Sequence, residues 1–210
     1  MPVIGTQSIG ETRILRWPDG KKAAVSLSFD DNLISQLDIA MPEVRESKNT
    51  KTVNNVPQWL DDFAIWEGLA QRWKEAAQRG HEIGSHSYSH RYLTWLDERE
   101  LAFQVKKSKE IIERWIGEGN CQIFRHPWGD RDQRTNQFVR ETYLWNTADL
   151  PTFAEAFTSG ERDVEKLKQM IERTISNQGW FVSVFHGVSR DFMPISLTDF
   201  KKYLAFLDSL

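Results

Sequence analysis

Four short stretches of this 210-residue chain carry side chains that could do chemistry, and each follows an apolar segment. The first is Asp30-Asp31-Asn32, which closes the run Ala23-Ala24-Val25-Ser26-Leu27-Ser28-Phe29. The others are His86-Ser87-Tyr88-Ser89-His90, Arg125-His126-Pro127-Trp128-Gly129 and His186-Gly187. Taken alone, Asp-Asp-Asn is ordinary turn chemistry, and a pair of histidines four apart is weak evidence. A helical turn would nevertheless put His86 and His90 on one side, close enough to grip a single ion. Joined by a carboxylate from a neighbouring strand end, they make a two-His, one-carboxylate site with positions open to water and substrate. One carboxylate suffices as third ligand, so either Asp30 or Asp31 is left to act as a general base. Arg125 offers a bidentate guanidinium to hold that base ionised and in place. His186 is a further titrating group able to protonate a leaving group. Together these are the parts of a hydrolase of acyl bonds.

Such residues work together only if the fold converges them. Side chains alternate across a strand, so Asp30 and Asp31 can share one cleft only where the strand ends. Asn32 suits that break, because Asn tolerates a left-handed backbone. Helical spacing follows in Ile34, Leu37, Met41 and Val44. A short strand is read over residues 50–56, then a helix over about residues 61–79 carrying Phe63, Trp66, Leu69, Ala70 and Trp73, with Gly80 as its stop. Residues 81–85 read as a strand. Asp97 and Glu100 form a capping-box-like start for a helix with Leu101, Val105, Ile111, Ile112 and Trp115 on its apolar stripe. Residues 122–124 read as a strand, 132–141 as a helix, 143–147 as a strand and 150–160 as a looser segment. A helix marked by Val164, Leu167, Ile171 and Ile175 precedes the apolar strand 180–185. Ser196 and Asp199 then open a last amphipathic helix with Phe200, Leu204 and Leu207 inward. Strands alternate with helices throughout, which predicts a parallel sheet or a small α/β barrel, with the barrel preferred. In either, the C-terminal strand ends share one face, and all four polar stretches fall there.

Composition narrows the function classes. Hydrophobic residues make up 40% and charged residues 27%, an ordinary globular balance. The length suits one core and is short for two, so residues 1–20 are read as an arm packing on a single catalytic domain over 21–210. A net charge of -3 leaves no electrostatic footprint for nucleic acid and no basic run for an anionic membrane. No stretch approaches the ~18 apolar residues of a membrane span. The first 17 residues lack a signal peptide's apolar core, so a cytoplasmic location is expected. The single cysteine, Cys121, forms no internal disulfide and reads as a packing residue. Nine tryptophans are many. Trp66, Trp73 and Trp115 fall on helix faces that need burying, whereas Trp95 and Trp128 read as exposed and compatible with stacking on sugar rings.

The stretches Ser-Phe-Asp-Asp-Asn (28–32), His-Ser-Tyr-Ser-His (86–90), Phe-Arg-His-Pro-Trp-Gly (124–129) and Val-Phe-His-Gly (184–187) resemble, in order and separation, the motifs of the NodB-like polysaccharide deacetylases, carbohydrate esterase family four. The resemblance covers roughly residues 16–207. It implies an α/β fold, a distorted, incomplete (β/α) barrel. It implies metal-dependent removal of N-acetyl or O-acetyl groups from a carbohydrate, with one divalent ion, zinc by default and cobalt or nickel as fits. By position, Asp30 matches the general base, Asp31, His86 and His90 the metal ligands, Arg125 the partner of the base and His186 the general acid. Trp128 stands where the family usually has Tyr, whose backbone N–H helps hold the oxyanion, a role that survives a change of side chain. Among the departures, Asn32 replaces the usual Gly, and His126 replaces a Pro or apolar residue and is read as a rim position. Residues 52–55, Thr-Val-Asn-Asn, are more polar than the corresponding strand. The family's fourth motif, with an Asp that orients the acid, is loose, and Asp149 is its candidate. His81 is read as structural. An amidase of small non-sugar substrates on the same fold and a protein that only binds carbohydrate are the competing readings. Oligomeric state is not legible.

Overall fold

β1 (Ala24–Phe29) is the strand that the opening motif closes, and it buries progressively toward its C-terminal end at Leu27, Ser28 and Phe29. The structure is a computed structural model that describes residues 21–46, 63–149, 154–159 and 161–210. The expected arm over residues 1–20 and the strand over 50–56 lie outside the described residues. After β1 a π turn (Gln36–Ala40) runs into α1 (Met41–Glu46), burying Leu37, Ala40, Met41 and Val44. Ile34, expected inward, is 40% exposed. α2 (Phe63–Gln78) buries Trp73 and Ala76 and stops at Gly80, whose φ of 91° needs no Cβ penalty.

The expected strand over 81–85 shrinks to one parallel bridge, Ser85 to Phe124. Its start is held instead by the preceding helix, since His81 N–H donates to Ala76 O, and its one apolar side chain, Ile83, packs inward. α3 (Glu98–Ala102) is capped by the Asp97 side chain, which accepts from Glu100 N, as the sequence suggests. A second π turn (Phe103–Lys107) links it to α4 (Ser108–Ile116), with Leu101, Val105 and Ile112 fully buried. β2 (Ile123–Phe124) leads to α5 (Gln133–Thr142), which opens on a reciprocal capping box between Asp132 and Thr135. β3 (Trp145–Asn146) pairs in parallel with β2.

Residues expected to be loose contain β4 (Ala154–Ser159), paired in parallel with the last strand and shifted in register between Glu155 and Thr158. Ala and Glu are poor strand formers, so here the neighbouring strand edge overrides local propensity. α6 (Val164–Ser176) is capped by Asp163 and precedes β5 (Trp180–Phe185). β5 lies between β1 and β4 and is buried on nearly every residue, as a central parallel strand should be. α7 (Leu197–Asp208), capped by Ser196, buries Phe200, Tyr203, Leu204 and Leu207 and lays Phe200 and Tyr203 against Phe185 of β5. Phe29, Phe185 and Phe200 meet at 5.7–5.9 Å between ring centroids, which fixes α7 behind the ends of β1 and β5. Every ladder is parallel, in a three-stranded sheet β1-β5-β4 and a two-stranded sheet β2-β3, an incomplete, unclosed α/β barrel among the described residues.

Candidate active site

Register does most of the assembly. Phe29 pairs with Phe185, so the next residues, Asp30 and His186, emerge side by side, and Asp30 N–H donates to Phe185 O at 2.9 Å. Ser85 bridges to Phe124, so His86 and Arg125 do the same, with Arg125 N–H donating to Ser85 O at 2.8 Å. Beyond β1 the chain turns sharply, with φ of 74° at Asp31 and 50° at Asn32. The left-handed turn expected at Asn32 therefore begins one residue earlier, on a carboxylate. Residues 86–90 form no helical turn: Ser87 and His90 have φ of 76° and 55°. His90 reaches His86 because its N–H donates to Ser87 Oγ at 3.0 Å, giving ring centroids 4.8 Å apart. Left-handed non-glycine residues are costly, and their gathering here marks a site over-determined by its surroundings.

The side chains converge on Asp31. Its Oδ1 lies 3.4 Å from His90 Nε2 and 3.8 Å from His86 Nε2, and its Oδ2 lies 3.7 Å from His186 Nε2. Asp30 stands deeper, with Oδ2 2.6 Å from Arg125 Nε and 4.0 Å from His86 Nε2. Burial pushes the Asp31 carboxyl up to about 6, the Asp30 charge adds to the rise and Arg125 opposes it. Burial pushes His86 down to about 4, against the Asp30 charge. His90 falls to about 4 through burial first and the neighbouring His86 second. His186 is lowered by burial too, against the pull of Asp30. His86 and His90 are therefore neutral at neutral pH, the state in which they can bind a metal.

Asp31, His86 and His90 each offer one ligand atom, and the three atoms lie within 4.8 Å of one another. The set fits a divalent cation on the chemistry of its donors. His86 Nδ1 is 2.7 Å from the Arg125 carbonyl, so that nitrogen carries the proton and donates, leaving a lone pair on Nε2. That lone pair faces Asp31 Oδ1, which is buried without a hydrogen-bond partner. Lone pairs buried against one another repel, and a cation between them reverses the sign.

The structure does not bring Asp149 to His186. Its carboxylate is taken by the Arg140 guanidinium, with Nε at 2.8 Å, on the surface after α5. His186 Nδ1 is buried with no hydrogen-bond partner among the described residues. His126 is not at the rim: it is 3% exposed with its ring edge on Phe124, and burial first, then Arg131, pushes it down to about 4. Trp128 is exposed as expected, with φ of 60°, and its ring meets His90 edge-on at 4.5 Å. Cys121 is fully buried, and burial pushes its thiol far above the usual range.

Three holding residues escaped the sequence reading. Gln36, buried at the start of the first π turn, donates from Nε2 to both Asp30 O and His186 O, the latter at 3.2 Å. Gln104, in the second π turn, accepts from Ser89 N–H at 2.9 Å and donates to Ser89 Oγ at 2.8 Å. Ser35 accepts from Val188 N–H at 3.1 Å and donates its own N–H to Asp191 at 2.8 Å, fixing the loop after His186. That loop closes on Gly187, where a Cβ would lie 2.1 Å from Arg190 O. The available signal was a glutamine inside each otherwise apolar helical stripe; π turns recur at functional sites.

Comparisons with known proteins give the chain relatives in sequence and in fold. The polysaccharide deacetylase family matches residues 17–144. A peptidoglycan-N-acetylglucosamine deacetylase of Bacillus cereus is 32% identical over 109 residues, 52% of this chain and 38% of that protein. The chain spans well under half the length of the curated relatives it matches. Among solved structures, a "T48 deacetylase with substrate" is 17% identical, with a TM-score of 0.63 over 89% of this chain and 84% of that one. A family 4 carbohydrate esterase pseudoenzyme from Bacillus anthracis is 18% identical, with a TM-score of 0.62 over 90% and 60%. These likenesses share the incomplete-barrel fold, and the match along most of the motif-bearing region assigns the lineage: the chain belongs to the polysaccharide deacetylase family.

Proposed function

We propose that the protein is a metal-dependent hydrolase that removes acetyl groups, N-acetyl in the first instance, from a carbohydrate. One observation carries this reading. A three-ligand cluster of Asp31, His86 and His90 has beside it a second carboxylate, Asp30, that is engaged by Arg125 instead of belonging to the cluster. A protein that only bound a metal or a sugar would have no use for that separate base. Zinc is the proposed ion from the mix of imidazole and carboxylate donors, and cobalt or nickel suits the same set. When bound, it supplies Lewis acidity toward an acyl carbonyl and toward water.

The chain's own groups do the rest. Arg125, with Nε 2.6 Å from its Oδ2, holds the Asp30 carboxylate in place. Asp30 accepts a proton from the water that attacks the acetyl carbon, and the Trp128 backbone N–H donates to the carbonyl oxygen as its charge develops. His186, across Asp31 from His90, gives a proton to the departing amine as the carbon–nitrogen bond breaks. The products are acetate and a free amino sugar.

Acetate release from N-acetylated oligosaccharides and acetylated xylan tests the reading, with chelator and with zinc or cobalt added back. Metal-dependent acetate from either class supports it and assigns the substrate type. No acetate from any of them by metal-loaded protein overturns it. A second reading, a carbohydrate-binding protein on this fold, is favoured by one feature, the buried His186 Nδ1, which has no hydrogen-bond partner among the described residues.

A further inference from the structure

His186, the group proposed to protonate the departing amine, has no carboxylate behind it among the described residues. Asp149 is held by Arg140, and His186 Nδ1 is buried without a hydrogen-bond partner. A ring meets the imidazole instead: Phe192 stands at right angles to it (84°), with centroids 5.4 Å apart. We infer that Phe192 is a positioning residue for His186, held over the imidazole by the loop 187–195, so that packing fixes the rotamer a carboxylate would otherwise fix. This rests on the acid role given to His186 above.

The loop is built to bring Phe192 back over His186. Gly187 N–H donates to Phe192 O at 2.9 Å, Ile195 N–H to Gly187 O at 3.1 Å and Ser189 N–H to Ile195 O at 2.7 Å. The closure is so tight that a Cβ on Gly187 would collide with Arg190 O, which glycine alone avoids. Ser189, Asp191 and Met193 take left-handed φ of 65°, 72° and 44°, costly conformations that persist only where the surroundings dictate them. Those surroundings are the turn after β1. Ser35 Oγ accepts from Val188 N–H at 3.1 Å, Ser35 N–H donates to the Asp191 carboxylate at 2.8 Å, and Arg190 pairs with Asp38. Gln36, next along, holds the His186 carbonyl. One turn therefore fixes both the main chain of His186 and the loop that lays Phe192 on its ring. A single exposed aromatic is ordinary on a surface. Phe192, 53% exposed, differs because its backbone is locked and its ring is set against a buried imidazole. Edge-to-face pairs at this separation are attractive and directional, and a misaimed reacting group loses rate steeply with small displacements.

The test compares zinc-loaded wild type, Phe192→Ala, Phe192→Tyr and Leu144→Ala, an exposed apolar residue just before β3. Acetate release is followed from an N-acetylated chito-oligosaccharide, whose amine must gain a proton to leave, and from 4-nitrophenyl acetate, whose phenolate leaves without one. We expect Phe192→Ala to lower kcat on the amide roughly tenfold, with KM and turnover of the aryl ester each within about twofold of wild type. Phe192→Tyr should restore most of the amide rate, and Leu144→Ala should keep all of it. Equal losses on amide and ester, a loss confined to KM, or no loss overturns the inference while leaving the deacetylase reading intact. The ring itself gives a second readout. In ¹³C-histidine-labelled protein the His186 signal, assigned through His186→Gln, should be single and sharp in wild type and Phe192→Tyr. In Phe192→Ala it should broaden or split as the ring samples a second rotamer. A single sharp signal there overturns the inference whatever the activity. Should wild type release no acetate from the oligosaccharide, the N-acetyl reading falls, and this signal alone decides whether Phe192 holds the ring.

Discussion

β1 and β5 deliver Asp30 and His186 side by side, much as Ser85 and β2 deliver His86 and Arg125, yet the two pairs are held differently. In the first, one buried amide, Gln36 Nε2, ties the carbonyls of both residues together. In the second, His86 is steadied through Nδ1 by the Arg125 carbonyl, and its loop is held by Gln104, by Ser87 and by Tyr88 N–H on Gln104 O at 3.0 Å. The backbone carbonyls of the two residues proposed to move protons thus share one clamp, whereas the loop of the histidine ligands is held by several bonds. A network with several members tolerates loss of one; a single buried donor does not, because its acceptors are left unpaired.

The largest effect should come from Asp30→Asn, which removes the proposed base and leaves the cluster of three. Turnover should fall by ~10²- to 10⁴-fold, measured as acetate release at saturating substrate. The contrast itself is tested by Gln36→Leu against Gln104→Leu. Displaced reacting groups can cost on the order of 10²-fold, so Gln36→Leu should lower kcat by roughly ten- to hundredfold with bound metal retained. Gln104→Leu should cost several times less. Equal losses, or a loss in Gln36→Leu confined to KM, would erase the distinction.

Acid should loosen both halves of the metal-free protein. His86, His90 and His126 sit at about 4 in the folded chain and titrate near 6.5 once unfolded. Unfolded chains then bind more protons between those values, so stability falls as pH drops through that window. Asp31, raised to about 6, and Glu82, raised by burial, act in the opposite sense, against three histidines at about 4 and the lowered His81 and His186. Thermal melts of chelated protein from pH 7 to 4.5 should show a falling Tm, and a flat or rising Tm would contradict the burial assigned to these rings. The smallest effect is expected at Asp149→Asn. With its carboxylate on Arg140 at the surface, acetate release should change less than about twofold.

The sequence reading reached furthest where one residue type has one local meaning. The apolar run of β5, the side-chain caps at Asp97 and Ser196, and the polar stretches at strand ends were all legible. It failed where neighbours decide. β4 exists because β5 offers an edge to Ala154–Ser159, and residues 81–84 stay out of the ladder although their composition allows it. The π turns at Gln36–Ala40 and Phe103–Lys107 keep the helical spacing of apolar residues, so nothing in the pattern separates them from plain helix. Asp149 shows the limit of reading by motif: it lies near the expected place in sequence, but Arg140 one helix earlier takes it.

The central claim is that the strand ends divide into residues that hold a metal and residues that move protons. Metal content per chain, measured after zinc loading and exhaustive dialysis, tests that division most directly in wild type, Asp31→Ala, His86→Ala, His90→Ala and Asp30→Asn. The account predicts one zinc per chain in wild type and Asp30→Asn, and near-complete loss in the three ligand variants. Full zinc in His86→Ala, or its loss from Asp30→Asn alone, would contradict it.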